Sequence, residues 1–496
     1  MKRKKSKRKR NTNSKRKRMN TLYRRTFKTP TKSAVISDDG TAGWTFTMSK
    51  CVKRGGKVIA SGNSSCVFFP ALQCADSSIT EPNMVTKLML HTTGEREYDK
   101  FIKIKTKLET IPNYRSFFLL DITKCKPSPF LPEDLENYEI ECGALIKQGI
   151  TKENINSNLD KLVALNIPYG GIQLDDFIYG VDTNNSASLT GASLTSATSL
   201  DISSLLKIRD IHLNLVDLLR NGILEMNKRN VYHCDIKSSN ILVSKTEETI
   251  NLKIIDWGLS TEYNPASKIK IPFIANIPNV WRNRPLIFNM PFSNIIFADK
   301  FSMNYTRFIQ NVILISTEKF VENISSEEGR IDMGEQIKPF VKKFVEDGKN
   351  IGHYEFICQT MNLLFEDQIQ NDPEITESVE TLTMEYIVDY IVDVLVHFTE
   401  FDGVFLNFKL YLDRVFIRIV DIWGLVMSYY PILKILSQNP DSKAFLQLQF
   451  IFVEYLYNPR NEPIDMDVFY EDLDNFEKQI ERHIANENKK AILHKI

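Results

Sequence analysis

At 496 residues, 43% of them hydrophobic, the chain is long enough for two or three packed units, which excludes a peptide-like or wholly disordered protein. The formal net charge of +1 conceals an asymmetry: residues 1–28 hold 15 of the 63 basic residues and no acidic one, leaving 48 basic against 62 acidic residues, a net −14, for the rest. A basic tail is joined to an acidic body.

The seven Cys residues (51, 66, 74, 125, 142, 234 and 358) are odd in number and thinly spread, with no C-x-x-C pair and no Cys/His cluster of zinc spacing. They read as reduced thiols in a cytosolic or nuclear setting. The start lacks the apolar core of a signal peptide, and the most lipid-like stretches carry Glu385, Asp389 and Asp393, or Arg414, Arg418 and Asp421, so no transmembrane helix is expected.

Residues 1–28 repel themselves and are predicted to be a disordered basic tail. Such a tail is either simply solvated, or in contact with the acidic body, or a nuclear import signal or nucleic-acid arm. From Gly55 to Ala71, GGKVIASGNSSCVFFPA flanks a small polar turn with apolar residues, the pattern of a β-hairpin whose tip approaches another group closely; backbone amides at such a tip can lie over phosphates, although most hairpins of this kind are only hairpins. Asn83 to Leu90 is a strand with one internal cation, Lys87. Glu95 to Leu108 spaces Tyr98, Phe101, Ile104 and Leu108 helically; Glu97 either faces a strand lysine or is an exposed first-turn glutamate favoured by the helix dipole. Strands are predicted at Ser116–Asp121 and Leu162–Ile167, with a short helix near Gly143–Gln148.

Ile167 to Ile178, broken by a Pro and two Gly, reads as a connector between lobes, and Gly180–Ser204 as a low-complexity loop. A long helix follows over Leu205–Arg229, with Ile208, Ile211, Leu215, Leu218, Leu219 and Ile223 in a stripe. It leads into VYHCDIKSSNILVSKTEETINLKIIDWGLS, Val231 to Ser260. This stretch sets an acid, a cation and an amide at fixed offsets (Asp235, Lys237, Asn240) and a second acid, Asp256, after an apolar run. Phosphoryl transfer needs such a set: a carboxylate to orient a hydroxyl and take its proton, a cation near the travelling phosphoryl, and hard oxygen ligands for the nucleotide's metal ions.

After Asp256-Trp257-Gly258, Pro265, Pro272, Pro278, Pro285 and Pro291 predict an extended surface loop. Phe292 to Leu410 reads as largely helical, strongest at Gln336–Glu346 and Thr383–Phe398. In the latter Glu385, Asp389 and Asp393 share one face, read as solvated rather than metal-binding because no His stands near. Tyr411–Leu433 is a core helix whose lone acid, Asp421, must find donors and is predicted to cap backbone amides of a neighbouring loop. The last 60 residues read as helical.

These motifs resemble those of eukaryotic-type serine/threonine protein kinases, in a divergent form similar to the kinases of giant DNA viruses. The catalytic loop H-R-D-x-K-x-x-N is matched by His233-Cys234-Asp235-Ile236-Lys237-Ser238-Ser239-Asn240, D-F-G by Asp256-Trp257-Gly258, and the D-x-W helix by Asp421-Ile422-Trp423-Gly424, without the motif's final glycine. The resemblance implies an α+β bilobal fold with a small β-rich lobe at 29–168 and a large helical lobe at 169–496, the segment 292–410 being a helical insertion. It implies ATP and Mg²⁺ as cofactors and protein substrates. Asp235 and Lys237 become the catalytic pair, and Asn240 and Asp256 the metal ligands. Lys87 grips the α and β phosphates with Glu97 as its partner. Ala60, Gly62 and Ser65 fall at the three glycines of the nucleotide loop, only the middle one kept, and Val67, Val85 and Leu242 sandwich adenine. No A-P-E follows the activation segment, for which Asn289-Met290-Pro291 is a loose substitute. Cys234 replaces an arginine that many relatives pair with a phosphorylated activation loop, which predicts activity independent of that modification. Trp257 reads as a larger apolar plug. An intracellular site of action is expected, in host cytoplasm, nucleus or virion. Two rival readings are a pseudokinase scaffold and a small-molecule phosphotransferase of the aminoglycoside or choline type. Lys237 and the Asp421 helix weigh against the second, and the intact set Lys87, Asp235, Asn240 and Asp256 against the first.

Overall fold

The computed structural model describes residues 56–493 apart from 63, 77–82, 181–200, 247–248, 268–272, 283, 372–377 and 404. The basic tail and most of the predicted low-complexity loop lie outside these residues. The chain divides into two compact units. One gathers the described residues of Lys32–Ile172 together with Leu242–Gly258, and the other gathers Gln173–Ile241 and Leu259–Ile496. Leu242–Gly258, assigned from sequence to the helical lobe, therefore clusters with the sheet. Its strand residue Ile254 bridges to Phe118, and the Ile254 carbonyl accepts from the Leu119 amide at 3.2 Å.

The sheet unit is a five-stranded antiparallel sheet of order β1-β2-β3-β5-β4. Its strands are β1 (Lys57–Ser61), β2 (Ser65–Phe69), β3 (Met84–Leu90), β4 (Thr123–Cys125) and β5 (Leu162–Pro168). Helix α1 (His91–Leu108) follows β3 directly and buries Phe101, Ile104 and Leu108, the stripe read from sequence. Phe68, Leu88, Tyr138, Leu145 and Ala164 belong to one apolar cluster. The strand predicted at Ser116–Asp121 is instead a helical turn, Tyr114–Phe117, followed by extended chain.

The expectation of reduced thiols is overturned here. Cys66 is bonded to Cys142 and Cys74 to Cys125, bridging residues 76 and 51 apart in sequence, while Cys234 and Cys358 take part in no disulfide and Cys51 lies outside the described residues. Spacing along the chain gave no hint because the sheet brings distant strands together. Cys66 lies on β2 and Cys142 precedes the short helix Gly143–Ile146 packed beside it.

The helical unit opens with α2 (Ile202–Asp217), which runs on without a break through Leu218–Ile223 and Leu224–Lys228. It begins inside the stretch read as loop, because Asp201 caps it by accepting from the Ser204 amide at 2.7 Å. The predicted insertion is helical, with α3 (Glu327–Gly348), α4 (Tyr354–Asn371) and α5 (Val379–Phe398). The acidic row on α5 is not solvated as expected: α3 packs along α5, Asp389 pairs with Lys338, and Asp393 and Glu385 are half-buried. Among the described residues no group of three or more His, Cys, Asp or Glu is arranged to hold a metal, and no single helix is long and apolar enough to cross a membrane. Helix α6 (Ile417–Met427) is buried along nearly its whole length, as its apolar sequence requires. The proline-rich segment is irregular but no surface loop. Phe273, Trp281, Leu286 and Met290 are fully buried, since the prolines prevent regular structure while the apolar residues between them still drive burial.

Candidate active site

The predicted site residues fall into two constellations, one in each unit. In the sheet unit, β3 presents Lys87, whose Nζ donates to Glu97 Oε1 at 2.5 Å and lies 3.7 Å from Asp256 Oδ1. Ten residues separate Lys87 from Glu97, yet the pair closes because α1 starts immediately after β3, with no connecting loop. Burial alone would lower the lysine pKa; the Glu97 and Asp256 carboxylates reverse this and hold it above its ordinary value, so the cation is secure. Lys100, which sequence reasoning passed over, donates to the Gly258 carbonyl at 2.7 Å, a second tie from α1 to Asp-Trp-Gly. Asp256 itself sits at φ +61°, a left-handed conformation that costs a non-glycine residue on the order of 1 kcal/mol and persists only where its surroundings fix it. Part of that fixing is Trp257, fully buried with its ring edge-on to Phe118 at 5.5 Å.

The stretch predicted as the nucleotide loop forms the β1–β2 hairpin. Ala60 pairs with Val67, Gly62 N donates to Ser65 O at 2.8 Å, and Ser65 is buried. A Cβ on Gly62 would meet nothing closer than 3.5 Å, so the turn is open at its tip. Val67 lies opposite Lys87 on β3, and Val85 two residues before Lys87 points to the same face. Val67, Val85 and Leu242 are all half-buried. Leu242 stands against Gly170, where an added Cβ would come within 2.7 Å of its Cδ1.

In the helical unit the catalytic loop is built around Asp235, which is buried. Lys237 Nζ lies 3.3 Å from Asp235 Oδ2, and Asn240 donates through Nδ2 to Asp235 Oδ2 at 2.9 Å and to its carbonyl at 2.8 Å. Two residues of the proline-rich stretch, neither assigned to this acid from sequence, complete the shell. Asn289, fully buried, donates to Asp235 Oδ1 at 3.0 Å and to Ile236 O at 3.1 Å. Arg284 reaches Asp235 Oδ1 at 3.5 Å and Cys234 O at 3.3 Å. Burial pushes the Asp235 pKa up, but Lys237, Asn289, His233 and Arg284 outweigh it and hold the carboxyl below the usual carboxylate range. An ionised, oriented carboxylate is what a general base needs.

Beneath this loop Asp421 does what its burial demanded. Oδ2 accepts from His233 N at 3.0 Å and Asn227 Nδ2 at 2.8 Å, and Oδ1 from Cys234 N at 2.9 Å. Burial still raises its pKa despite these donors. Cys234 holds φ +62°, fixed by that amide bond, and its Sγ accepts from Trp281 Nε1 at 3.1 Å. A side chain at Gly424 would strike the Ile236 carbonyl at 2.6 Å, so helix α6 and the catalytic loop meet where only glycine fits. His353, from the insertion, also faces this site: burial lowers its pKa, as do Lys237 and Arg284.

In the helical unit both Nδ2 hydrogens of Asn240 are directed at Asp235, and in the sheet unit Asp256 has a half-exposed carboxylate. The amide oxygen of the one and the carboxylate of the other are each of the hard-oxygen type that Mg²⁺ takes.

The protein kinase domain family matches residues 193–276, which contain the catalytic loop and Asp-Trp-Gly. Myosin light chain kinase 2, skeletal/cardiac muscle, of Homo sapiens is 43% identical over 70 residues, 13% of this chain and 12% of that protein. Calcium-dependent protein kinase 4 of Plasmodium falciparum is 42% identical over 57 residues, 11% of each. The chain thus spans about a tenth of the length of the relatives it matches. The solved structure of the Cydia pomonella granulovirus kinase PK-1 is similar at 16% identity and a TM-score of 0.22, covering 43% of this chain and 56% of that one. Over its central segment, which holds the His233–Asn240 loop and Asp-Trp-Gly, the chain is therefore similar to protein kinases, in a divergent form.

Proposed function

We propose that this protein transfers the γ-phosphate of ATP to Ser or Thr hydroxyls of protein substrates. The observation that carries the reading is Asp235: one buried carboxylate is held ionised, with Lys237 on one oxygen, Asn289 on the other and the metal-ligand candidate Asn240 fixed to it. In this reading Asp235 orients the acceptor hydroxyl and takes its proton, and Lys237 steadies the phosphoryl charge as it moves. Lys87, locked by Glu97, binds the α and β phosphates, while Val67, Val85 and Leu242 enclose the base. Asn240 and Asp256 each carry a hard oxygen donor suited to Mg²⁺, which would supply neutralisation of the phosphate charge. The Ser/Thr preference rests on Lys237, two residues after the acid, by resemblance to the family.

The test incubates purified protein and its Asp235→Asn variant with labelled ATP, Mg²⁺ and generic basic and acidic protein substrates. Transfer to Ser/Thr by the wild type, reduced by about 10²–10⁴ in the variant, is the expected result. Nucleotide binding without transfer would overturn it in favour of a scaffold, and transfer only to small alcohols in favour of a small-molecule phosphotransferase.

A further inference from the structure

The stretch Arg284–Met290 supplies two of the groups that hold Asp235, so whatever fixes this stretch fixes the acid. The stretch is not self-supporting. It has no regular structure, and at its centre Leu286 is fully buried at φ +54°, a conformation a leucine keeps only under outside constraint. Within the helical unit Asn294 Nδ2 ties the Arg284 carbonyl at one end, and the middle of the stretch is held from two further places. Helix α6 provides one, through Trp423 Nε1, which donates to the Phe288 carbonyl at 2.9 Å. The insertion provides the other.

Between α3 and α4 the chain turns through Ile351-Gly352-His353, and the His353 amide donates to the Leu286 carbonyl at 2.8 Å. Gly352 holds φ +90°, and a Cβ there would lie 2.5 Å from Pro285 O and 2.8 Å from Leu286 O, so backbone meets backbone with no room for a side chain. The His353 ring packs on Phe288 at 5.1 Å and Phe356 packs on it at 4.6 Å, while Phe356 is itself anchored on Tyr430 at 4.7 Å. Phe288 is therefore gripped on its side chain by the insertion and on its carbonyl by α6, with Asn289 next in sequence.

We propose that the Ile351–His353 turn of the insertion is a positioning element for phosphoryl transfer, clamping Pro285–Phe288 so that Arg284 and Asn289 hold the catalytic acid. This rests on the kinase reading above. The residues touch no reacting atom; they act through the stretch they grip.

The full chain is compared as wild type, Gly352→Val, Phe356→Ala and Phe356→Leu. Nucleotide affinity is measured by equilibrium binding, kcat and acceptor KM by transfer assay, and amide exchange over residues 284–291 by mass spectrometry. Expected is a fall in kcat of about tenfold or more for Gly352→Val and Phe356→Ala, with nucleotide affinity within about twofold of wild type. Exchange over 284–291 should quicken, and Phe356→Leu should recover most of kcat. If Gly352→Val does not fold, the two Phe356 variants decide. Faster exchange with unchanged kcat, or a rise in kcat, would overturn the proposal, the second by making the turn a brake. An inactive wild type would instead count against the kinase reading, and quickened exchange would still report the clamp.

Discussion

The two acids of the candidate site, Asp235 and Asp256, are held in opposite ways. Asp256 stands half-exposed with a single cation, Lys87, at 3.7 Å, and its place is set largely by what lies beside it in sequence, the buried Trp257 ring and the Gly258 carbonyl tied to Lys100. Asp235 is buried and touched by four side chains, two of them neutral amides, in a loop whose backbone is itself held by the distant Asp421. The contrast follows from the tasks assigned. A metal ligand must stay reachable by solvent and nucleotide, whereas a base must keep one orientation and one charge, which burial secures only if every lone pair finds a donor. Removing a support should therefore damage the catalytic loop as a fold defect and the nucleotide side as a binding defect.

The sharpest way to break this contrast is Asp421→Ala. It strips the acceptor from two buried backbone amides, His233 and Cys234, and from Asn227. Buried donors left unsatisfied cost about 1–3 kcal/mol each, so the variant should lose about 3–5 kcal/mol in chemical denaturation and all transfer activity. Lys87→Met tests the other side. The charge-assisted bond to Glu97 goes, but the slightly shorter apolar side chain still packs where the lysine stem did, so the fold should hold while nucleotide affinity and transfer drop by about 10–100-fold. Equal loss of stability in both variants would erase the distinction.

The disulfides sharpen the contrast in a third way. Cys66–Cys142 joins the nucleotide hairpin to the helix packed beside it, and no bridge occurs in the helical unit among the described residues. Reduction, or the paired substitutions Cys66→Ser with Cys142→Ser, should destabilise the sheet unit by about 2–4 kcal/mol and leave unfolding of the helical unit unchanged, as read by differential scanning calorimetry.

Much of the site was legible because its chemistry is written in contiguous sequence. His233 to Asn240 and Asp256 to Gly258 are motifs, Lys87 announces itself as the one charge in an apolar strand, and even the capping role of Asp421 follows from the cost of a lone acid in an apolar helix. What escaped was whatever depends on contacts across long sequence separation in irregular chain. Arg284 and Asn289 lie in a proline-rich stretch with no periodicity, so nothing marked them as facing Asp235. Only the Asn289-Met290-Pro291 end had been noted. The disulfide partners are separated by three or more elements, and the α5 acids looked solvated because the helix pattern does not reveal that α3 covers them.

Asn289 is the test of what the sequence did not reveal. Asn289→Ala removes one donor from Asp235, a loss of about 1–2 kcal/mol, or roughly tenfold in kcat, with the nucleotide KM unchanged. The sign of the pH effect follows from Asp235 lying below the usual carboxylate range. Its ionised form, and the stability it contributes, are present above that range and lost only as pH falls through the depressed value. Wild-type kcat should thus show no acid limb from this group between about pH 5 and 8. The variant, with one stabilising donor gone, should move that limb upward.

The smallest expected effect concerns the segment after Asp-Trp-Gly. Cys234 carries no charge, and its Sγ already accepts from Trp281 Nε1, whose ring is packed among Tyr232, Tyr263 and Phe416 at 5.3–5.6 Å. A phosphate on this segment would find a neutral, occupied neighbour where a cation would be needed to draw it in. The hydroxyls there are also poorly placed for modification. Ser260 is buried and Thr261 is paired in a strand with Tyr232, so Ser267 is the exposed one of the three. Replacing Ser260, Thr261 and Ser267 together by Ala should leave kcat within about threefold of wild type, the residual change coming from the buried Ser260 hydroxyl. Abolished activity in a triple variant that still melts as the wild type does would show that the Trp281–Cys234 contact does not by itself hold the segment in its working place.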